Sequence, residues 1–277
     1  MHSLFSKVSV VLVLNSYFAM LFNNTIQTIL LGYRLHGLVK NLPSSQDAHC
    51  ELRTHFMLTG YSAFHYSFLV QASYRLIRVV FYRHRFFHSR RFFLFAVALQ
   101  WILANLLPLS MFLPSIYVYI PEFYRCWIPL ENVRGVLTCL IVIYTLPISI
   151  ILIIYLLIGR YIRQHNAIQH RRLHSNARDI IVLKRIVIIL SVTVAIGVPT
   201  MIMLLLKILI DMPLEMAYEI QDFCLAVGFL IAVLCFTWTT PEIRRILKEN
   251  QNRIVPEEIQ RQNPTINPQI ELVRPNR

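Results

Sequence analysis

The stretch CELRTHFMLTGYSAFHYSFLVQASYRLIRVVFY, residues 50–82, decides how this chain is built. From Leu58 to Tyr82 it is predominantly apolar, with Cys50 ahead of that run and Arg75 lying 25 residues beyond the cysteine. A helix rises about 1.5 Å per residue, so 25 residues cover ~37 Å, the hydrocarbon core of a bilayer plus part of its headgroup layers. One helix would thus carry a thiol at one membrane face and a guanidinium at the other.

The rest of the chain agrees with that reading. Of 277 residues, 56% are hydrophobic and the mean hydropathy is +0.54, whereas soluble chains run roughly 45–50% apolar. Five apolar runs approach or exceed the ~20 residues needed to cross a bilayer, and a sixth is slightly broken by polar residues. They cover about 8–31, 58–81, 92–116, 135–158, 180–208 and 220–239. The expected fold class is an all-α membrane protein, with a transmembrane helical bundle over residues 1–239. The first run has no small-residue cleavage site and is too long for a signal-peptide core, so it reads as a span. After the bundle, Ile243, Ile246 and Leu247 share one side of a short helix flanked by Arg244, Arg245 and Lys248. Residues 240–248 are therefore expected to lie on the membrane surface. The polar segment 249–277, rich in Pro, Gln and Asn, reads as a disordered tail.

A net charge of +13 raises the question of nucleic acid, but the distribution answers it. Residues 83–91 and 160–178 carry nine arginines and no acid before Asp179, while the acids gather near 47–53, 122–134 and 211–222. That alternation is the positive-inside pattern. It places the basic segments and the C-terminus in the cytoplasm of a multi-pass plasma-membrane protein, against anionic lipid, with no nucleic-acid partner.

Cys50 and Cys126 then fall together on the outer, oxidising side, where they form a bridge or remain free. No His/Cys spacing nearby supports zinc. Cys139, Cys224 and Cys235 fall inside spans as buried thiols. Arg75 and Arg78 lie three apart on one helical face near the inner membrane surface. They either snorkel to the interface or pair with Asp179, the one acid in either cytoplasmic loop. Pro108, Pro114, Pro147 and Pro199 interrupt the other spans and can kink them.

Enzyme signatures are missing: there is no H-E-x-x-H, no phosphate-binding glycine loop and no G-x-S-x-G. The chain is read as a non-enzyme that needs no cofactor and no metal. Arginines do not recur every third residue along a span, as a voltage sensor requires, and midplane charges and internal repeats of the transporter kind are absent.

Between about Val8 and Lys248 the pattern resembles the rhodopsin-like G-protein-coupled receptors. Cys50 matches the family's cysteine at the outer end of the third helix, Arg75 the arginine of D-R-Y, and Cys126 the second-loop cysteine. Trp101 matches the fourth-helix tryptophan, Pro147 and Tyr155 the fifth-helix proline and tyrosine. Pro199 matches the proline of C-W-x-P, and Asp179, twenty residues earlier, the acidic partner of the D-R-Y arginine. The departures are specific. D-R-Y reads Tyr74-Arg75-Leu76, C-W-x-P reads Ile196-Gly197-Val198-Pro199, and N-P-x-x-Y reads Ala232-Val233-Leu234-Cys235-Phe236. Only one span precedes Cys50, so the counterpart of the family's first helix is lacking.

The resemblance implies a Cys50–Cys126 disulfide and an outer ligand pocket with Met57 and Trp101 as candidate residues. It also implies an Arg75–Asp179 lock with Tyr155 nearby, and kinks at Pro147 and Pro199. The implied partners are an extracellular ligand, a heterotrimeric G protein and membrane lipid. Met57 stands where amine receptors carry an acid, which disfavours a simple amine; acidic outer connections are compatible with a basic peptide. The competing readings are a non-signalling six-span descendant of a receptor and a transporter or channel. G-protein activation in cells separates the receptor from both, and substrate flux in liposomes separates a transporter from the rest.

Overall fold

Helix α2 (Cys50–Val79) begins at the cysteine and carries Arg75 in its last turns, as one continuous helix. It belongs to a computed structural model that describes residues 2–40, 49–81, 89–112, 117–120, 125–129, 132–166 and 214–239. Between 188 and 209 it describes 188, 191, 192, 194, 195, 197–199, 201–203, 205, 206 and 209. The surface helix expected at 240–248, the tail at 249–277 and Asp179 lie outside these residues.

The described elements are α1 (His2–Lys40), α2, α3 (Arg90–Phe112) and a two-stranded antiparallel hairpin, β1 (Val118–Ile120) and β2 (Arg125–Trp127). They continue with α4 (Val133–Cys139), a π-helical turn (Leu140–Thr145), α5 (Leu146–Asn166) and α6 (Leu214–Thr239). The described residues from 188 to 209 are helical. The chain divides into a unit Met1–Val233 and a unit Leu234–Arg277, whose described part is the end of α6. Among the described residues, four helices are long and apolar enough to cross a membrane: Val8–Gly37, Arg90–Ser110, Val133–Gln164 and Tyr218–Trp238.

Helix α2 is long enough but more polar than these, because it is the one the others cover. Thr54, Thr59, Ser62, His65, Ser67 and Gln71 are all buried on it. Away from water a polar side chain must find a partner in the protein, and here neighbouring helices supply several. Ser16 on α1 donates to Ser67 at 2.9 Å, and the Gln71 amide donates to Ser16 at 2.6 Å. Across α1 and α3, the Asn15 amide donates to Gln100 at 2.7 Å and the Trp101 indole to Asn15 at 2.9 Å. The Gln100 amide in turn donates to the Ala63 carbonyl at 3.1 Å. Where these three helices meet, Ala19, Ala63 and Ala104 pack together, each 0% exposed. Small side chains let helix axes approach when lipid offers no hydrophobic drive to association.

Helix α1 runs nine residues past its expected end at Leu31. No proline interrupts it before Pro43, and Gly32 opens onto space, with nothing within 4 Å of where a Cβ would stand. The extension is tied down by Arg34, whose guanidinium reaches Glu219 at 2.8 Å and Asp222 at 3.1 Å on α6. Arg53 on α2 also lies over the Tyr33 ring, 4.4 Å from its centroid.

The π turn has a local cause. Pro147 has no N–H, and its ring crowds the carbonyl one turn before it. The Leu146 N–H bonds to the Ile141 carbonyl, which leaves Val142 without Leu146, and its five-residue partner would be Pro147. The Tyr66 hydroxyl on α2 donates to that Val142 carbonyl at 3.1 Å. Replacing a donor and leaving a shielded acceptor unmet costs about 1–3 kcal/mol. Tyr66→Phe should therefore lower the melting midpoint of the detergent-solubilised protein by several degrees. An unchanged midpoint would show that the carbonyl is satisfied in another way.

Candidate functional site

The disulfide joins Cys50, at the start of α2, to Cys126 in β2, with the two Cα atoms 5.5 Å apart. A second tie reinforces it, since the Thr54 hydroxyl, one helical turn along, donates to the Cys126 carbonyl at 2.7 Å. The hairpin is thereby held over the Cys50 end of α2. Behind it, the Tyr117 hydroxyl donates to the carbonyl of Pro108 in α3 at 3.0 Å. Burial raises the pKa of this phenol, with a further rise from Cys139, so it stays a neutral donor.

Beneath the hairpin lies a cavity of about 390 Å³ between α1, α2 and α6, within the size range of small-molecule sites. Its rim is polar, with Asn24, Gln27, Thr28, Arg34 and Asp222, and its wall includes Met57, Tyr61, Trp127 and Leu225. Arg34 is 18% exposed and pairs with both carboxylates, so α1 and α6 are strapped together at the cavity mouth. The Gln27 amide donates to the Tyr61 hydroxyl at 3.1 Å, holding the tyrosine that divides this cavity from a deeper one.

The deeper chamber holds about 90 Å³ and shares Tyr61, Trp127 and Leu225 with the first. Its lining is chiefly apolar and aromatic, from Leu58, Phe64, Ile143 and Phe229, with His65, Tyr144 and Gln221 as polar groups. Tyr61 stacks on Phe229 with centroids 5.2 Å apart, and Phe64 meets the same ring edge-on. The His65 ring is held at Nδ1 by the Tyr61 carbonyl at 2.7 Å and meets Tyr144 edge-on at 5.5 Å.

Of the residues singled out in the sequence, Cys50 and Cys126 are joined and Met57 lines the larger cavity, buried. Trp101 is elsewhere: its indole bonds Asn15, its ring packs edge-on against Phe18 and Phe22, and it lines neither cavity. Arg75 is half-buried on α2 and Tyr155 buried on α5. Pro147 follows the π turn and is fully buried, and Pro199 is helical and half-buried. The pairing of Arg75 with Asp179 falls outside the described residues on the Asp179 side. Cys139, Cys224 and Cys235 stand outside any disulfide and are partly exposed, where the sequence reading expected them buried. Among the described residues no group of three His, Cys, Asp or Glu is placed to hold a metal ion.

Sequence reading passed over Tyr61, His65, Tyr144 and the Arg34–Glu219–Asp222 cluster. A signal was present for two of them. His65 is a polar ring in an apolar run, and Arg34 lies just beyond a span facing an acidic outer segment. No protein-family model and no curated protein matches this chain.

Proposed function

We propose that this chain is a membrane receptor of the rhodopsin-like type, in which occupation of the cavity beneath the Cys50–Cys126 bridge rearranges the helices at the Arg75 end. One observation carries the reading: a disulfide-pinned hairpin roofs a polar-rimmed cavity at one end of the same helix that bears Arg75 at the other. A ligand that binds one packing of these helices better than another shifts the population between them. Helix α2, surrounded by its neighbours, touches both the cavity and the opposite end, where a heterotrimeric G protein would engage. The orientation with the Cys50 end outside follows from the charge pattern. The cavity's mixed lining suits a ligand with both polar and apolar parts, such as a peptide end.

The test needs no ligand. In cells expressing the full chain, Asp179→Ala should raise basal G-protein activation at equal surface expression, because it removes the acid that restrains Arg75. Unchanged basal activation in that variant counts against the lock. Absence of any G-protein response in both proteins, together with solute flux in liposomes, would replace the receptor reading with a transporter.

A further inference from the structure

The sequence puts glycine, Gly197, where the receptor family it resembles carries a bulky ring, and the structure shows what fills the space. Gly197 is buried, and a Cβ built there would fall 2.7 Å from Cε1 of Tyr144 and nearer still to its Cζ and hydroxyl. The tyrosine comes from a different helix, on the π turn between α4 and α5. Its hydroxyl donates to the Val194 carbonyl at 2.9 Å, three residues from the notch. Its ring also lines the 90 Å³ chamber and meets His65 of α2. One side chain thus touches α2, borders the deeper chamber, fills the notch at Gly197 and bonds the Val194 carbonyl.

We infer that Tyr144 is a latch between the α4–α5 helix and the helical residues around Gly197: its ring seated against Gly197 and its hydroxyl on Val194 hold the two together, and release follows when the ring leaves the notch. The chamber beside it gives the ring somewhere to turn. The π turn that carries it is a widened backbone segment of the kind that recurs at functional sites. This inference rests on the receptor reading only for what the latch controls. The lock-and-key contact itself stands on geometry.

The experiment therefore has two arms on the full-length protein. In the first, melting midpoints of purified protein in detergent are compared for Gly197→Leu, Tyr144→Ala and the double variant. Each single change should lower the midpoint by several degrees, one by overlap and the other by leaving a void. The double should recover most of the loss, because the new leucine occupies the space the ring vacated. Additive losses in the double variant, or a Gly197→Leu midpoint equal to that of the unmodified protein, would overturn the latch.

In the second arm, Tyr144→Phe keeps the ring and removes only the bond to Val194. Two readouts follow it: alkylation of Cys139, which lines the same chamber, by N-ethylmaleimide, and basal G-protein activation. The latch predicts at least threefold faster alkylation of Cys139, with Cys224 and Cys235 unchanged. Under the receptor reading, basal activation rises as well. Faster alkylation with no G-protein response in any variant, Asp179→Ala included, keeps the latch and rejects the receptor. An unchanged Cys139 rate rejects the latch, and a basal response to Asp179→Ala would leave the receptor reading standing.

Discussion

Cys126→Ser is expected to lower the melting midpoint of the protein by as much as reductant lowers that of the unmodified chain, and to make it insensitive to reductant. The bridge closes a sequence separation of 76 residues, for which loop entropy gives about 4.5 kcal/mol if the unfolded chain is free coil. In a membrane it is not. All of α2 and α3 lies inside that loop and stays largely helical when tertiary contacts are lost, so the constrained freedom is smaller and the expected loss is about 2–3 kcal/mol. Part of it is local. Without the bridge, the Thr54–Cys126 hydrogen bond, a neutral bond worth about 1 kcal/mol, still ties the hairpin to α2. Thr54→Val in the Cys126→Ser background should therefore add a further loss of that order. Thiol counting checks the premise directly: three cysteines should alkylate in the unreduced, denatured protein and five after reduction. Five reactive thiols without reductant, or equal midpoints for Cys126→Ser and the unmodified chain, would remove the bridge from the account of the site.

Charge asymmetry read both cysteines onto one side of a bilayer, bridged or free, and helix rise placed Cys50 and Arg75 at opposite ends of one helix; the resemblance implied the bridge itself. The cavity beneath it was readable only in part. The resemblance implied Met57 and Trp101 as pocket residues; Met57 lines the cavity and Trp101 does not, because tryptophan serves equally as a pocket wall and as a donor between helices. Its indole goes to Asn15 and its ring to α1. The Arg34 strap depends on α1 continuing nine residues beyond the apolar run, and on α6 presenting Glu219 and Asp222 to the same guanidinium. Hydropathy marks where a helix leaves the hydrocarbon and is silent on whether it stays helical afterward. Tyr144 and Gly197 are harder still. A glycine in an apolar run says that something comes close, and only the packing of separate helices says what.

The polar character of α2 follows the same logic. Its serines, threonines and glutamine lower its hydropathy below that of the four spanning helices. Ser67 and Gln71 are met by Ser16 of α1, and Thr54 is met by the Cys126 carbonyl of the hairpin. A reading limited to apolar length undervalues the helix at the centre of a bundle.

At Gly60 this close approach makes its sharpest demand. A Cβ on α2 at this position would lie 2.9 Å from Oδ1 of Asn23 and 3.1 Å from its Cα on α1. The first contact is to a side chain and can be relieved; the second is to backbone and cannot be, short of moving a helix. Gly60→Ala is expected to cost about 1–3 kcal/mol, the usual range for overpacking. Gly60→Val, with two further methyl groups in the same gap, should separate α1 from α2 and abolish most surface expression. Gly32→Val is the control, because nothing stands within 4 Å of a Cβ there, and its expression should match the unmodified protein. The second-site test separates side chain from backbone. Asn23 is 0% exposed and its amide finds no hydrogen-bond partner among the described residues, so Asn23→Ala removes an unmet polar group along with the nearer contact. It should restore much of the stability of Gly60→Ala and little of that of Gly60→Val, where the α1 backbone remains in the way. Equal rescue of both would place the conflict in the Asn23 side chain alone, and normal expression of Gly60→Val would mean that α1 and α2 are not in this close register.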